Sequence, residues 1–195
     1  GLAAGLPDHV PGTTIDRQCG SSQQAVHFAA QGVMSGTSDL IVAGGVQQMS
    51  TIPISSSMLV GDQFGYPDPF SGSLGWQERY GDQEVSQFRS AQMIADKWDC
   101  SRDEMESFAV ESHERAIRAR AEGRFDAEIA PFGEVMADEG PREPNWDKIR
   151  SLRPLEEGGT ITAAVASQIS DASAALLIAS EQAVEDHGLT PRARI

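Results

Sequence analysis

The chain has two cysteines, and one of them, Cys19, stands where its surroundings change character. Before it, Thr13, Thr14 and Ile15 follow a Pro-Gly pair, and the stretch 13–17 reads as a short β-branched strand. After it, Gly20, Ser21 and Ser22 open a run whose apolar residues return with a helical period. A thiolate at the first turn of a helix faces unpaired backbone N–H groups and the positive end of the helix dipole. Both favour the charged form, which is the nucleophilic one. Gly20 would let a substrate or a second backbone come close, and the two serines would serve polar groups at the helix start. The position equally suits a small buried residue, the commoner fate of a free cysteine. Position alone leaves both readings open.

The other chemistry-bearing residues add little by themselves. His27 lies two helical turns beyond Cys19, about 12 Å along the axis at roughly 1.5 Å per residue, too far to be its base. His9, His113 and His187 fall in loops or on exposed helix faces without an evident partner. Cys100, in "KWDCSRDE", precedes a capped helix and reads as structural or incidental. Four scattered histidines and two cysteines lack zinc-ligand spacing, so no metal is expected. The carboxylates from Asp138 to Asp147 read as a solvated face. Phe64, Tyr66, Phe70, Trp76 and Tyr80 could line an acyl pocket or anchor their own loop. Arg142, Arg150 and Arg153 fit surface charge or an anion site.

The elements that must position these groups follow from periodicity. Ala25, Phe28, Ala29, Gly32 and Val33 mark one face of a helix over 20–35, with Gly36 as its stop. Leu40 to Ala43 is an unbroken apolar run before Gly44-Gly45, the pattern of a strand buried on both faces. Strand, helix, strand with tight joints predicts a parallel βαβ unit over 13–46. Residues 51–83 are rich in Ser, Gly, Pro and aromatics with no sustained period, as in a lid or binding loop. Helices are expected over 87–98 and, behind the capping box Ser101-Arg-Asp-Glu104, from there to Glu122. Ala174 to Ala179 reads as a second buried strand, 181–187 as a last helix, and the closing "ARI" as a strand beginning. The outer pieces look incomplete, so the chain reads as part of a larger fold.

Net charge is −14, from 15 basic and 29 acidic residues, and this argues against a nucleic-acid partner, which needs a basic face. A small anionic ligand remains compatible, since distant carboxylates are screened beyond about 8 Å at physiological salt. No run reaches the roughly 18 apolar residues of a membrane span, and the N-terminus lacks the pattern of a signal peptide. With few cysteines and no export signal, a cytoplasmic location is expected.

The stretch "RQCGSSQQAVHFAAQGVMSGTSDLIVAGGVQQMS" resembles the nucleophile region of the thiolases, the 3-ketoacyl-CoA and acetoacetyl-CoA acyltransferases. The resemblance runs on through "MESFAVESHERAIRARAEGRFDAEIAPF", "DEGPR" and "GGTITAAVASQISDASAALLIASEQA", in the family's order, and covers essentially the whole chain. "GDQEVSQFRSAQMIADKW" is closest to thiolases of bulky substrates such as steroid side-chain β-ketoacyl-CoAs. It implies an α/β, thiolase-like fold: part of an α/β/α layered core with a mixed sheet, interrupted by a mostly helical loop domain. The divisions are 1–50 for the core, 51–158 for the lid and CoA-binding insertion, and 159–195 for the return to the core.

The resemblance also implies roles. Cys19 matches the nucleophile that carries an acyl thioester, with its own N–H in the oxyanion hole. Gly20, Gly44 and Gly45 match glycines beside it. Arg142 matches a contact to the CoA nucleotide and its phosphates, and Ser167 a contact to the pantetheine arm. Coenzyme A is implied as co-substrate with no permanently bound cofactor, acyl-CoA esters as ligands, and a homodimer or homotetramer as the assembly. Ala164 and Val165 depart from the family's "TAGNAS", and Ser86-Gln87-Phe88 from its His-Met-Gly near the lid. The histidine of "GHPxG" and the second cysteine of "CxG" do not occur in the chain. A thiolase-like acyl-CoA-binding protein without turnover is therefore the alternative from another class, and a related ketosynthase a weaker one. The 195 residues alone are expected to be inactive.

Overall fold

In the computed structural model, which describes residues 1–70 and 72–195, the elements follow in the order α1 (Ser21–Met34), β1 (Leu40–Gln47), α2 (Ser56–Leu59), α3 (Leu74–Tyr80), α4 (Gln87–Lys97), α5 (Arg102–Ala121), α6 (Trp146–Ser151), β2 (Ala172–Ala179) and α7 (Glu181–Asp186). Single 3₁₀ turns stand at Leu2–Ala4, Gln18–Gly20 and Asp62–Phe64. The chain divides into two compact units, Gly1–Ile54 with Ser170–Ile195, and Ser55–Ile169.

In the first unit β1 and β2 form an antiparallel two-stranded ladder, in register from Leu40 opposite Ala179 to Gln47 opposite Ala172. This corrects the parallel βαβ unit. Residues 13–17 are irregular: among the described residues they pair with no strand, and a strand exists only by pairing. Residues 193–195 likewise form no strand. Burial of the strands on both faces is corrected too: Val42, Val46, Leu176 and Leu177 are exposed. With period two, Ile41, Ala43 and Gly45 turn to the better-covered face, while Leu40, Val42 and Val46 form an outward apolar row.

Small residues set how α1 lies on this ladder. Ala29 and Ala30 are its buried residues, and a Cβ on Gly32 would stand 2.9 Å from Ile41 Cδ1. Phe28, expected on the buried face, is 52% exposed. A large ring has no room where the backbones approach so closely. After β2, Ser180 caps α7 by accepting from Ala183 N–H (3.1 Å) and ties it to the start of β1 by donating to Asp39 Oδ1 (2.9 Å).

The second unit is helical. The capping box is formed in full: Ser101 Oγ accepts from Glu104 N–H at 3.2 Å, and the Glu104 carboxylate accepts from Ser101 N–H at 2.8 Å. The hydrogen bonds from the Ser101 hydroxyl and backbone hold the Glu104 carboxyl below its ordinary pKa. One turn on, Glu106 is 1% exposed and pairs with Arg102 (Nε to Oε1, 2.7 Å). Arg102 Nη2 also donates to the carbonyls of Ile149, Arg150 and Leu152 at 3.0–3.2 Å, so a half-buried arginine held by a buried carboxylate braces the end of α6 against α5. Phe70, Trp76 and Tyr80 stack on one another, with ring centroids 4.6 and 4.5 Å apart, and so tie α3 to its own preceding loop.

A carboxylate clasp closes the lower end of the first unit. Asp171 accepts from Ser50 N–H (2.8 Å) and from the Ser50 hydroxyl, which holds its carboxyl below its usual range, the hydroxyl contributing most. The clasp binds the charged form, so its contribution is complete above the ordinary aspartate pKa of about 3.9 and is lost as pH falls through the lower folded-state value. We expect the stability difference between wild type and Ser50→Ala to be constant above about pH 5 and to shrink below that. Urea midpoints measured down the pH scale check this, and a pH-independent difference would contradict it.

Candidate active site

Cys19 is exposed, in the 3₁₀ turn Gln18–Gly20 that runs directly into α1. The turn is locked from both sides. Arg17 N–H donates to Ser21 Oγ (2.8 Å), the same hydroxyl donates to Gln18 O (2.7 Å), and Gln18 N–H donates to Asp16 Oδ1 (3.0 Å). Arg17 Nη1 reaches Gln24 Oε1 at 2.6 Å, one turn into the helix. Gln18 has φ +52°, a left-handed conformation costly for a residue with a side chain. The thiol therefore sits beside a strained residue whose geometry its hydrogen-bonded neighbours impose.

The turn borders a cleft of about 560 Å³ lined by Thr13–Ile15, the first turns of α1, and the paired strand ends at Gly44–Gln47 and Ala172–Ala174. Cys19, Gly44 and Gly45 are thus brought together, with Gly20 in the same turn as the cysteine. The two strand glycines leave room for close neighbours. A Cβ on Gly45 would fall 2.3 Å from Ser22 Oγ, and one on Gly44 would lie 3.1 Å from Ala174 O. The cleft's polar lining is hydroxyl and amide: Thr13, Thr14, Gln18, Ser21, Ser22, Gln47 and Ser173. Among the described residues no histidine, carboxylate or basic side chain lines it, and His27 is exposed on α1. The arrangement presents an exposed thiol beside strand ends where backbone can be approached closely.

The second unit holds Arg142 and Ser167, both exposed. A mostly apolar groove of about 860 Å³ runs between α4, α5 and the segment 161–168, with Trp98, Met105, Phe108 and Ile161 on its walls and Ser167 among its polar groups. Ala164 and Val165, the departures from "TAGNAS", face the same groove. The "DEGPR" turn is drawn to it by three contacts: Gln168 Nε2 donates to Gly140 O (3.2 Å), Arg120 Nη1 donates to Asp138 O (3.1 Å), and Arg142 N–H donates to His113 Nδ1 (3.4 Å). His113 lines the groove and has a partner, which corrects its reading as an exposed histidine without one. Four residues after Ala109, it shares a face of α5 with it, but the loop that partners it is set by residues far along the chain. Cys100 also borders the groove, with its Sγ 3.9 Å from Trp98 O. Ser86 serves as the N-cap of α4 and donates to Glu156 Oε1 (3.0 Å).

The family model for the thiolase N-terminal domain matches residues 1–182. The steroid 3-ketoacyl-CoA thiolase FadA6 of Mycobacterium tuberculosis is 60% identical over the whole of this chain, which covers 49% of that protein. The 3-oxoadipyl-CoA/3-oxo-5,6-dehydrosuberyl-CoA thiolase of Escherichia coli is 36% identical and the acetyl-CoA acetyltransferase of Saccharomyces cerevisiae 33%, each aligned with all of this chain and with 52% of its own length. The chain spans about half the length of the curated relatives it matches.

The Gly45–Ser22 approach can be tested directly. Gly45→Ala is expected to destabilise by about 1 kcal/mol through overpacking. In a Ser22→Ala background, where the nearest remaining atom is the Ser22 Cβ position at 3.6 Å, the cost should largely vanish. Additive costs in the double-mutant cycle would show that the two residues do not meet.

Proposed function

The chain belongs to the thiolase family, in the part its members share as an N-terminal domain, and on that premise we propose that it supplies the nucleophile and coenzyme A-binding regions of an acyl-CoA C-acyltransferase. The observation that carries the reading is Cys19, exposed in a hydrogen-bonded turn at the head of α1 and facing a glycine-walled cleft. In the cleavage direction the Cys19 thiolate attacks C3 of a 3-ketoacyl-CoA. The C3 oxyanion is met by backbone N–H groups, that of Cys19 included. Collapse re-forms the carbonyl and breaks the C2–C3 bond; the departing carbanion takes a proton and leaves as acetyl-CoA. The acyl group stays on Cys19 as a thioester until the thiolate of a new coenzyme A attacks it, releasing a shortened acyl-CoA and restoring the cysteine. Condensation is the same sequence reversed. Covalent capture divides one difficult cleavage into two acyl transfers.

The cleft's lining of hydroxyls and amides supports a division of labour in which proton transfer falls to groups outside residues 1–195. In this reading the histidine and second cysteine of the family supply it. Arg142 meets the phosphates of coenzyme A, Ser167 holds the pantetheine arm, and the apolar groove beside Ser167 gives remote binding energy that positions the thioester. Coenzyme A enters and leaves as co-substrate. Identity of 60% to a steroid thiolase, against 33–36% to relatives named for smaller acyl groups, supports a bulky acyl chain such as a steroid side chain. The outward apolar row Leu40, Val42 and Val46 supports an assembly that covers it, a homodimer or homotetramer.

In the full-length protein, Cys19→Ser should lower thiolysis of acetoacetyl-CoA at least about a thousandfold, while Cys100→Ser stays within about threefold of wild type. Arg142→Gln should raise KM for coenzyme A about tenfold and make that KM less sensitive to salt, as loss of a phosphate contact requires. Equal losses from both cysteine variants would remove the reading.

A further inference from the structure

Gln92 on α4 fastens the root of the segment that carries Ser167. Its Oε1 accepts from Thr160 N–H at 2.7 Å and from Ile161 N–H at 3.3 Å, and lies within 3.3 Å of the Thr160 hydroxyl. Its Nε2 donates to Thr160 Oγ1 at 3.1 Å and to Asp96 Oδ1 at 2.8 Å, one turn along the same helix. The fit leaves no slack: a Cβ on Gly159 would stand 2.9 Å from Gln92 Oε1. A primary amide is suited to this place because it accepts from two consecutive backbone N–H groups while its other end donates.

What the clamp holds is a stiff connection to the groove. Ile161 and Thr162 are buried, Thr162 fully. Ile161 O accepts from Leu155 N–H (2.8 Å), and Thr162 pairs with Pro154. Beyond them Val165 N–H donates to Thr162 O (3.1 Å) and Ala164 N–H to Thr162 Oγ1 (3.3 Å), making a tight turn. That turn delivers Ala166 and Ser167 to the groove, whose opposite wall includes Ala91, Ile94 and Ala95 on either side of Gln92. Gln92 thus ties the helix forming one wall to the root of the segment forming the other.

We propose that Gln92 is a positioning residue for coenzyme A: through Thr160 and Ile161 it fixes the turn that presents Ser167 to the pantetheine arm. The inference rests on the reading of Ser167 given above. Gln92 touches no substrate; it acts through the segment it clamps.

The test uses the full-length protein with Gln92→Met, which keeps length and loses both hydrogen-bonding ends, alone and with Ser167→Ala. Gln92→Met is expected to raise KM for coenzyme A about tenfold with kcat within about twofold. The double variant should be no worse than the weaker single variant, because both changes disable one contact. Gln92→Glu combined with Asp96→Asn restores an acceptor for the two N–H groups and a donor for the helix, and should return KM to within about threefold of wild type. Amide exchange at Thr160 and Ile161 should quicken in Gln92→Met and recover in the rescue variant. A residue needed only for folding would lower kcat through lost active enzyme, add to Ser167→Ala, and leave KM alone; that pattern overturns the proposal. A wild-type protein without thiolysis would overturn the parent reading instead, and exchange at the two amides would then judge the clamp, unchanged protection sinking it.

Discussion

The close approach of α1 to the β1–β2 ladder is the constraint on which the first unit depends. Alanines at 29 and 30 and glycines at 32 and 45 let backbone lie where side chains ordinarily stand, and Ser22 fills the space that Gly45 leaves. This brings the first turn of the helix against the strand ends and so places the turn 18–20 on the rim of a cleft. The positive φ at Gln18 is tolerated because Asp16, Ser21 and Arg17 hold the turn on both sides. Local strain beside the thiol is thus stabilised by contacts that belong to the same packing.

The second unit solves a different problem, that of holding irregular chain next to helices. Its loops are fastened by polar side chains reaching from α4 and α5: Gln92 to residues 160–161, Arg102 to the end of α6, Arg120 and His113 to the turn at 138–142. Each satisfies backbone groups that no ladder serves, and each does so from a rigid helix. The apolar groove between α4, α5 and 161–168 follows from this arrangement, since the loop that forms its far wall is held at the root rather than packed over the helices.

Much of this was legible in the sequence because it is local. The helix over 20–35, the complete capping box at Ser101 and Glu104, the strand before Gly44-Gly45 and the last helix all depend on residues within a few positions of one another. What was not legible depends on partners far along the chain. The run Leu40–Ala43 looks identical whether its neighbour is parallel or antiparallel, and β2, which settles the matter, lies more than a hundred residues away. Residues 13–17 have strand composition, yet they pair with neither strand of the ladder. At the candidate site, the place of Cys19 at a helix start was legible, while its role and the glycines at 44 and 45 beside it came from the resemblance to the thiolases rather than from spacing. His113 and Gln92 could not be read, because a histidine or glutamine on a helix face declares nothing until the loop it serves is folded against it.

The measurement closest to the central claim is the covalent state of the enzyme during turnover. Full-length protein mixed with acetoacetyl-CoA, quenched in acid within a turnover and mapped by peptide mass should carry an acetyl group on the peptide containing Cys19. That adduct should disappear when excess coenzyme A is added before the quench. Turnover that leaves the Cys19 peptide unmodified, or places the acetyl group on Cys100, would contradict the account.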